Sequence, residues 1–155
     1  MLSEFEGKRS FSVSRVGREQ LHGIAELERL CFAEPWSEKI LELLLAENAA
    51  GFAAVGEAGE LLGYAGLVTV LDEGQITNVA THPDHRRRGV ASSLMAALIE
   101  YCRGRDIRYI SLEVRASNSG AIALYEGVGF KAVGVRKNFY RYPAEDAVIM
   151  TAEVE

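Results

Sequence analysis

The apolar pattern of this chain changes from strand spacing to helix spacing and back, and this order constrains its fold more than any other feature. Residues 51–57, 61–71 and 75–80 have the composition of strands and are separated by turn residues. Residues 90–101 carry apolar side chains on one helical face, and residues 109–114 return to a strand. Antiparallel hairpins followed by a strand–helix–strand unit predict an α+β fold, an α/β sandwich around one central sheet.

Six further elements flank this central unit. Pro35 interrupts a helical pattern on its N-terminal side, because proline lacks an amide donor and restricts the residue before it. Ser37 is a suitable N-cap for a second helix. A polar loop is expected between the last two strands. The predicted elements are a strand at residues 11–16, helices at 19–32, 37–47 and 121–126, and strands at 130–135 and 147–151.

The length and composition of the chain are those of one globular domain. Its 155 residues are 48% apolar and 25% charged, and its three prolines form no linker. We expect a single domain over residues 1–155, with residues 1–10 as a flexible extension. Cys31 and Cys102 lack metal-ligand spacing, and no stretch resembles a signal peptide or a membrane span. We therefore expect a cytoplasmic protein with free thiols and no membrane partner, as a monomer or weak homodimer.

The net charge of −5 argues against general nucleic-acid binding, because contacts to phosphates need many Lys and Arg residues on one face. A basic peptide is easier to accommodate on such a protein. One basic cluster departs from this balance, at Arg86, Arg87 and Arg88. Gly89 follows it, and the whole segment lies between a predicted strand and a predicted helix.

Two interpretations of this basic loop are open. A helix N-terminus presents unpaired amides and a partial positive charge, so the loop can bind phosphate. Gly89 would help, since it removes a side chain where the oxygens of a ligand approach the backbone. The alternative is a solvated basic loop without a ligand. Neither a Walker Gly-Lys-Ser/Thr sequence nor a Rossmann glycine pattern is present.

The segment Arg86-x-x-Gly89-x-Ala91 resembles the acetyl-CoA pyrophosphate loop of the GNAT acetyltransferases, which has the pattern Gln/Arg-x-x-Gly-x-Gly/Ala. The one departure is Ala91, where glycine is commoner. The resemblance implies the GNAT fold, with a central mixed, mostly antiparallel sheet flanked by helices, and acetyl-CoA as co-substrate without a metal. In that family the loop amides bind the pyrophosphate, and the preceding strand binds the pantetheine arm. The implied cofactor-binding residues are Val79, Ala80, Thr81, Arg86, Arg87, Arg88, Gly89, Val90, Ala91, Ser92, Asn118 and Tyr125.

A second signature resembles the RimI branch of this family, the ribosomal-protein alanine N-acetyltransferases. It comprises residues 112–118, residues 121–126 and the pair Gly129-Phe130. The resemblance runs from about Phe32 to the C-terminus, although related N-terminal and lysine acetyltransferases share several of its pieces. It implies acetyl transfer from acetyl-CoA to the N-terminal α-amine of a protein, expected to be a ribosomal protein beginning with Ala.

The same resemblance makes Glu113 the general base, Tyr125 the general acid and Asn118 a contact of the cofactor. The chemistry agrees, because amide formation from a thioester needs a neutral amine and a proton for the departing thiolate. An α-amine, with a reference pKa of about 8, loses its proton more easily than a Lys amine at about 10.4. Purely structural roles are the alternatives. Glu113 could be a solvent-facing strand residue, Tyr125 a core aromatic, and Asn118 a turn former or helix cap.

The predicted substrate-binding residues are Pro35, Trp36, Glu113 and Tyr140. An aromatic side chain beside a rigid proline is a good wall for a peptide pocket, and packing of Trp36 on the core is the alternative. In the RimI branch the Pro-Trp loop and the region of Tyr140 flank the peptide entrance. Glu34 favours a peptide whose next residues are basic.

Other functions remain open at this point. The same scaffold can acetylate a lysine, a polyamine or a small-molecule amine, and a non-catalytic acyl-CoA-binding module is a remoter alternative that the presence of Glu113 and Tyr125 disfavours. Nucleic-acid binding through the basic cluster is opposed by the net charge. His82 and His85 are three residues apart without a third ligand nearby, which favours a surface loop over a metal site.

Overall fold

The computed structural model describes residues 10–154, and these residues form one seven-stranded sheet. The strands are β1 (Phe11–Arg15), β2 (Ala49–Gly56), β3 (Leu61–Val70), β4 (Glu73–Thr81), β5 (Tyr109–Arg115), β6 (Lys131–Arg141) and β7 (Ala144–Glu153). Their order in the sheet is β1-β2-β3-β4-β5-β7-β6, and only β4 and β5 run parallel. The predicted mixed, mostly antiparallel sheet is therefore confirmed. The predicted flexible extension lies, except for Ser10, outside the described residues.

Four α-helices accompany the sheet within residues 10–154: α1 (Leu21–Cys31), α2 (Glu38–Leu41), α3 (Val90–Arg103) and α4 (Ser119–Gly127). Ser37 caps α2 as predicted, since its hydroxyl accepts a hydrogen bond from the Ile40 amide at 3.2 Å. The predicted helix over residues 37–47 was wrong in length and type, because α2 gives way to a 3₁₀ helix at Glu42–Leu45. Leu41 and Leu44 are buried, and their three-residue spacing matches the 3₁₀ repeat.

Two apolar layers cover the two faces of the sheet. Leu94, Leu98 and other side chains of α3 pack on one face, where Tyr125 of α4 also lies. Ile24 of α1 packs with Leu41 and Leu44 on the opposite face. Within residues 10–154 no helix is long and apolar enough to cross a membrane.

The predicted polar loop between the last two strands was wrong. Only Tyr142 and Pro143 separate β6 from β7, and both strands extend into the polar segment. The physical reason is that β6 is the last strand of the sheet and is almost entirely exposed. An edge strand of this kind tolerates charged residues, so it has no apolar alternation for a sequence pattern to detect.

The sheet opens between β4 and β5. These strands pair only from Glu73↔Tyr109 to Gln75↔Ser111, although β4 continues to Thr81 and β5 to Arg115. Beyond Gln75 the edge of β4 that faces β5 has no strand partner. The opening separates the carboxyl ends of two neighbouring parallel strands, a common position for ligand sites in α/β sheets.

Candidate active site

A cavity of about 1220 Å³ occupies the opening between β4 and β5. It brings most of the sequence-predicted residues together, and they line it from both strands, the basic loop, α4 and the end of β6. These residues are Trp36, Val79, Ala80, Thr81, Arg86, Arg87, Gly89, Val90, Ala91, Ser92, Glu113, Asn118, Tyr125 and Tyr140.

Two predicted residues do not line this cavity, Pro35 and Arg88. The guanidinium of Arg88 contacts the Ser10 hydroxyl and lies 2.7 Å from Nδ1 of His85, which holds it away from the cavity. Arg88 was included as a member of the basic loop, and Pro35 as the rigid neighbour of Trp36. Adjacent side chains in a loop or turn point in different directions, and here only their neighbours face inward.

The basic loop has the backbone geometry of an anion site. Arg87 has φ 63° and Gly89 has φ 80°, so the chain takes the left-handed conformation twice just before α3 begins at Val90. Successive turns of this kind direct backbone amides towards one point. The first amides of α3 have no intrahelical acceptor and add the positive end of the helix dipole. A Cβ at Gly89 would meet nothing within 4 Å, so the glycine serves the backbone conformation and leaves this approach open.

Glu113 lies on β5 with its side chain 18% exposed. Its Oε2 accepts a hydrogen bond from Nε2 of Gln75 at 2.9 Å, and its Oε1 lies 3.3 Å from Nε of Arg136. The neighbouring Leu112 and Val114 are buried in the apolar layer of α3, so strand alternation directs Glu113 to the other face of the sheet. The carboxylate is thus held by one neutral donor and one cation at the cavity wall.

Tyr125 lies on α4 and is 8% exposed. Burial raises the pKa of its phenol to about 12, and the nearby Tyr140 adds to this increase. Among the described residues its hydroxyl has no hydrogen-bond partner, while its ring packs 6.0 Å from that of Phe130. The residue is therefore part of the core and of the cavity at once.

Asn118 is the N-cap of α4. Its Oδ1 accepts a hydrogen bond from the Ala121 amide at 3.1 Å, which is the structural role considered for it from sequence. Asn118 also lines the cavity. The cap fixes the start of the helix that carries Tyr125.

The Pro35–Trp36 loop and the end of β6 face each other across the cavity mouth. Trp36 lines the cavity and also packs against the apolar layer of α1, so both interpretations of this residue hold. Arg141 of β6 binds both carboxylate oxygens of Glu34, at 3.0 Å through Nε and 2.6 Å through Nη2. Glu34 is thus already paired with a cation of this chain, and this contact lowers the pKa of its carboxyl.

Arg115 holds the β6–β7 turn against the cavity. Its guanidinium lies 4.3 Å from the ring centroid of Tyr140 and 3.1 Å from Oε1 of Glu145. It also donates to the carbonyls of Tyr142 and Pro143, at 3.1 and 3.0 Å. The planar guanidinium can make these contacts simultaneously, so the aromatic ring at the mouth is fixed in place.

Sequence analysis missed a third carboxylate that lines the cavity besides Glu34 and Glu113, namely Glu28 of α1. It is completely buried, and its oxygens accept hydrogen bonds from the Trp36 amide at 2.8 Å, the Tyr64 hydroxyl at 2.5 Å and Nδ2 of Asn78 at 2.8 Å. Burial raises the pKa of Glu28 above its ordinary value, against the lowering effect of these donors. A signal was present: Glu28 follows Ile24 by four residues and therefore lies on the apolar face of α1.

The described residues contain no cluster of three or more His, Cys, Asp or Glu side chains able to hold a metal ion. His82 and His85 lie with their ring centroids 5.3 Å apart, and Nδ1 of His82 accepts from the Asp84 amide at 3.1 Å. These two histidines thus belong to the structure of the loop that precedes Arg86.

Comparison with known proteins identifies close relatives of this chain. The sequence model of the Acetyltransferase (GNAT) family matches residues 21–130. An Escherichia coli (strain K12) protein named ribosomal protein bS18-alanine N-acetyltransferase is 34% identical over 145 residues, 92% of this chain and 97% of that protein. The crystal structure of the ribosomal-protein-S18-alanine N-acetyltransferase from Escherichia coli has a TM-score of 0.86 and 34% identity, covering 94% of each chain.

A more distant structure shares the fold. It is a GNAT superfamily phosphinothricin acetyltransferase from Sinorhizobium meliloti in complex with AcCoA, with a TM-score of 0.81 at 19% identity over 94% of this chain and 89% of that one. The family match spans the opened strands, the basic loop and α4, and the relative of 34% identity covers nearly the whole chain. The chain therefore belongs to the GNAT family of acetyltransferases, and it is an N-acetyltransferase related to the ribosomal-protein alanine N-acetyltransferases.

Proposed function

We propose that this chain transfers an acetyl group from acetyl-CoA to the N-terminal α-amine of a protein, a ribosomal protein beginning with Ala. One observation carries the proposal: a single cavity in the opened sheet connects the anion-binding loop, Glu113 and Tyr125. Acetyl-CoA and the acceptor amine, bound together in this cavity, would meet groups that can bind a diphosphate, remove a proton and donate a proton. The 34% identical relative from Escherichia coli, named for alanine N-acetylation of bS18, supports this acceptor.

The residues present fit acetyl-CoA. The amides of residues 89–92 and the left-handed turns at Arg87 and Gly89 suit its pyrophosphate. The unpaired edge of β4 at Val79, Ala80 and Thr81 offers backbone groups to the amides of the pantetheine arm. The bound cofactor supplies the acetyl thioester, and every other role in the mechanism belongs to this chain.

Glu113 is the proposed general base, acting directly or through one water. Gln75 and Arg136 orient its carboxylate at the cavity wall. When the α-amine attacks the thioester carbonyl, the new C–N bond forms, the C–S bond breaks, and the amine proton passes to Glu113. Tyr125 donates its phenolic proton to the departing sulfur. At the end of the cycle Tyr125 takes a proton from solvent and Glu113 releases one to it.

The first experiment measures coenzyme A release from acetyl-CoA with a short peptide beginning Ala-Arg. The matched control is the same peptide with a blocked N-terminus, and both are assayed with wild type and Tyr125→Phe. We expect turnover only with the free α-amine and a loss of kcat of about 100-fold or more in the variant, as expected for a general acid. The variant should keep its affinity for acetyl-CoA, because the aromatic ring remains and only the hydroxyl is lost.

Equal turnover of the blocked peptide carrying a lysine would contradict α-amine specificity and favour a lysine acetyltransferase. Unchanged kcat in Tyr125→Phe would exclude this phenol as the acid. Acetyl-CoA binding without turnover of any amine would favour the acyl-CoA-binding module instead. We further infer a cytoplasmic site of action, where ribosomal proteins are made, and one domain over residues 1–155 acting as a monomer or weak homodimer without nucleic acid or membrane.

A further inference from the structure

Glu28 is the only charged side chain that is fully buried among residues 10–154. Charged groups are almost never buried completely unless a cation accompanies them, since the loss of hydration is costly. No cation of the described part of the chain lies within ion-pair distance of Glu28, and its three hydrogen-bond donors are all neutral. A Leu or Met at this helix position would suit the apolar layer without that cost. The carboxylate therefore has a role that only its two acceptor oxygens can perform.

The two oxygens divide their donors between separate elements. Oε1 accepts from the Trp36 amide in the loop after α1, and Oε2 accepts from the Tyr64 hydroxyl of β3 and Nδ2 of Asn78 in β4. Trp36 and Asn78 line the cavity, whereas Tyr64 does not. One buried carboxylate thus connects two residues of the cavity wall to α1.

The chemistry of these contacts fixes the orientation of the Asn78 amide. An ionised carboxylate only accepts hydrogen bonds, so the NH₂ group of Asn78 must face Glu28. The Tyr64 hydroxyl donates to Glu28, and its oxygen can accept from the same NH₂ group at 3.3 Å. Oδ1 of Asn78 consequently points away from Glu28, and it has no hydrogen-bond partner among the described residues.

The backbone directs Asn78 into the cavity. The β3–β4 register shifts between Ala65, which pairs with Val79, and Leu67, which pairs with Ile76. Thr77 and Asn78 therefore lie opposite the single residue Gly66, so β4 has one extra residue here. Such a bulge changes the direction of a side chain and is common next to active sites. The bulge lies where β4 has lost its partner β5, on the approach to the proposed thioester position.

We propose that Glu28 is a positioning residue that presents Oδ1 of Asn78 to the acceptor. This oxygen accepts a hydrogen bond from one N–H of the acceptor amine and so orients the nitrogen lone pair towards the thioester carbonyl. The inference deepens the proposed function and rests on it for the identity of the amine. The proton that the amine loses still passes to Glu113, so no further step is added.

The test is a double-mutant cycle with the Ala-Arg peptide. Asn78→Ala removes the oxygen, and we expect kcat/KM for the peptide to fall about tenfold, the value of one good hydrogen bond, while KM for acetyl-CoA is unchanged. Glu28→Gln offers an NH₂ group where Asn78 needs an acceptor, so the asparagine amide inverts and a similar loss follows. In the Asn78→Ala background, Glu28→Gln should lower kcat/KM for the peptide little further, because its effect acts through Oδ1 of Asn78, which that background lacks.

Tyr64→Phe is the matched control. It removes a buried donor of the same carboxylate and leaves the contact between Glu28 and Asn78 in place, so the melting temperature should fall while kcat/KM for the peptide stays near that of wild type. Two results would overturn the inference: wild-type kcat/KM in Asn78→Ala, or a full additional loss from Glu28→Gln in the Asn78→Ala background. If wild type acetylates only another amine, the proposed acceptor is wrong. The double-mutant cycle is then repeated with that amine, and its result tests the role of Glu28 and Asn78 independently of the proposed acceptor.

Discussion

At the scale of single residues, the burial of Tyr125 has two opposing effects on the proton transfer proposed for it. Burial raises the pKa of the phenol to about 12, which makes it a weaker acid than the free phenol at about 10. The same dry surroundings disfavour a thiolate, whose reference pKa is about 8.5, and so increase its demand for a proton. The donor and the acceptor are therefore shifted in the same direction, and the gap between them need not widen.

A pH profile follows from this shift. Because its pKa is about 12, Tyr125 stays protonated throughout the usual assay range. We expect kcat/KM for the peptide to rise as the α-amine loses its proton near pH 8 and then to stay level to about pH 10. Tyr125→Phe should keep this shape at lower amplitude. A fall above pH 9 that disappears in the variant would contradict the raised pKa.

The same raised pKa has a consequence for stability. The folded state holds the phenolic proton more tightly than the unfolded state, so this contribution is complete below about pH 10. It is lost as the pH rises from the unfolded pKa towards the folded value of about 12. Alkaline unfolding curves of wild type and Tyr125→Phe should diverge only in that window.

The sequence predicted those residues of the site that belong to local patterns. Gly89, Glu113 and Tyr125 lie in short segments whose spacing resembles a family, and all three reach the cavity. Glu28 and Asn78 were missed because their contact joins residues 50 apart in sequence, through a bulge that no local pattern encodes. Arg88 was wrongly included because it belongs to the same local pattern, and adjacency in sequence does not determine the direction of a side chain in a turn.

At the scale of elements, the pair Glu34–Arg141 connects the loop after α1 to the end of β6, 107 residues apart. The side chains are 49% and 67% exposed, so water screens the ion pair and it adds little to stability. Both residues lie at the cavity mouth beside Trp36 and Tyr140. The pair connects two walls of the cavity mouth, and its proposed role is to order the peptide entrance.

Removing this pair should therefore affect peptide binding more than folding. We expect Glu34→Ala and Arg141→Ala to raise KM for the peptide severalfold, with melting temperature and KM for acetyl-CoA close to those of wild type. The exchanged double variant, Glu34→Arg with Arg141→Glu, should recover much of the loss. If only Glu34→Ala weakens binding, and does so only for peptides with a basic second residue, Glu34 contacts the peptide directly and the original expectation from sequence holds.

The observed element boundaries show why apolar periodicity predicts some helices and strands correctly and misses others. α3 was found from its apolar face because one side of it is buried in the core. The first half of β6 was found as a strand, but residues 136–141 were missed, since an edge strand exposed on both faces has no apolar pattern. The 3₁₀ helix at Glu42–Leu45 was taken for α-helix because a stretch of four residues does not separate periods of 3.0 and 3.6.

At the scale of the whole molecule, an acidic protein carries its proposed anion site on a basic loop. The net charge is −5, yet Arg86 and Arg87 line the cavity beside the start of α3. A polyanion such as acetyl-CoA is repelled by the net negative charge of the protein and attracted by the arginines of the basic loop. Since screening acts over about 10 Å at 0.1 M salt, the local attraction is reduced as ionic strength rises.

Salt should accordingly weaken acetyl-CoA binding. We expect KM for acetyl-CoA to rise between about 50 and about 300 mM NaCl, and Arg87→Ala to reduce this dependence. Arg87→Lys is the matched control, because it keeps the positive charge at this position. A KM that is independent of salt in wild type would mean that backbone amides alone hold the pyrophosphate.

The opened sheet makes the proposed co-substrate part of the architecture. From residue 76 onwards one edge of β4 has no neighbouring strand, and the pantetheine arm would take the place of that strand. Anything that binds only the folded chain stabilises it in proportion to the logarithm of its concentration. The survival time of this enzyme in a cell would then follow the supply of acetyl-CoA, so that a starved cell loses the catalyst together with the reactant.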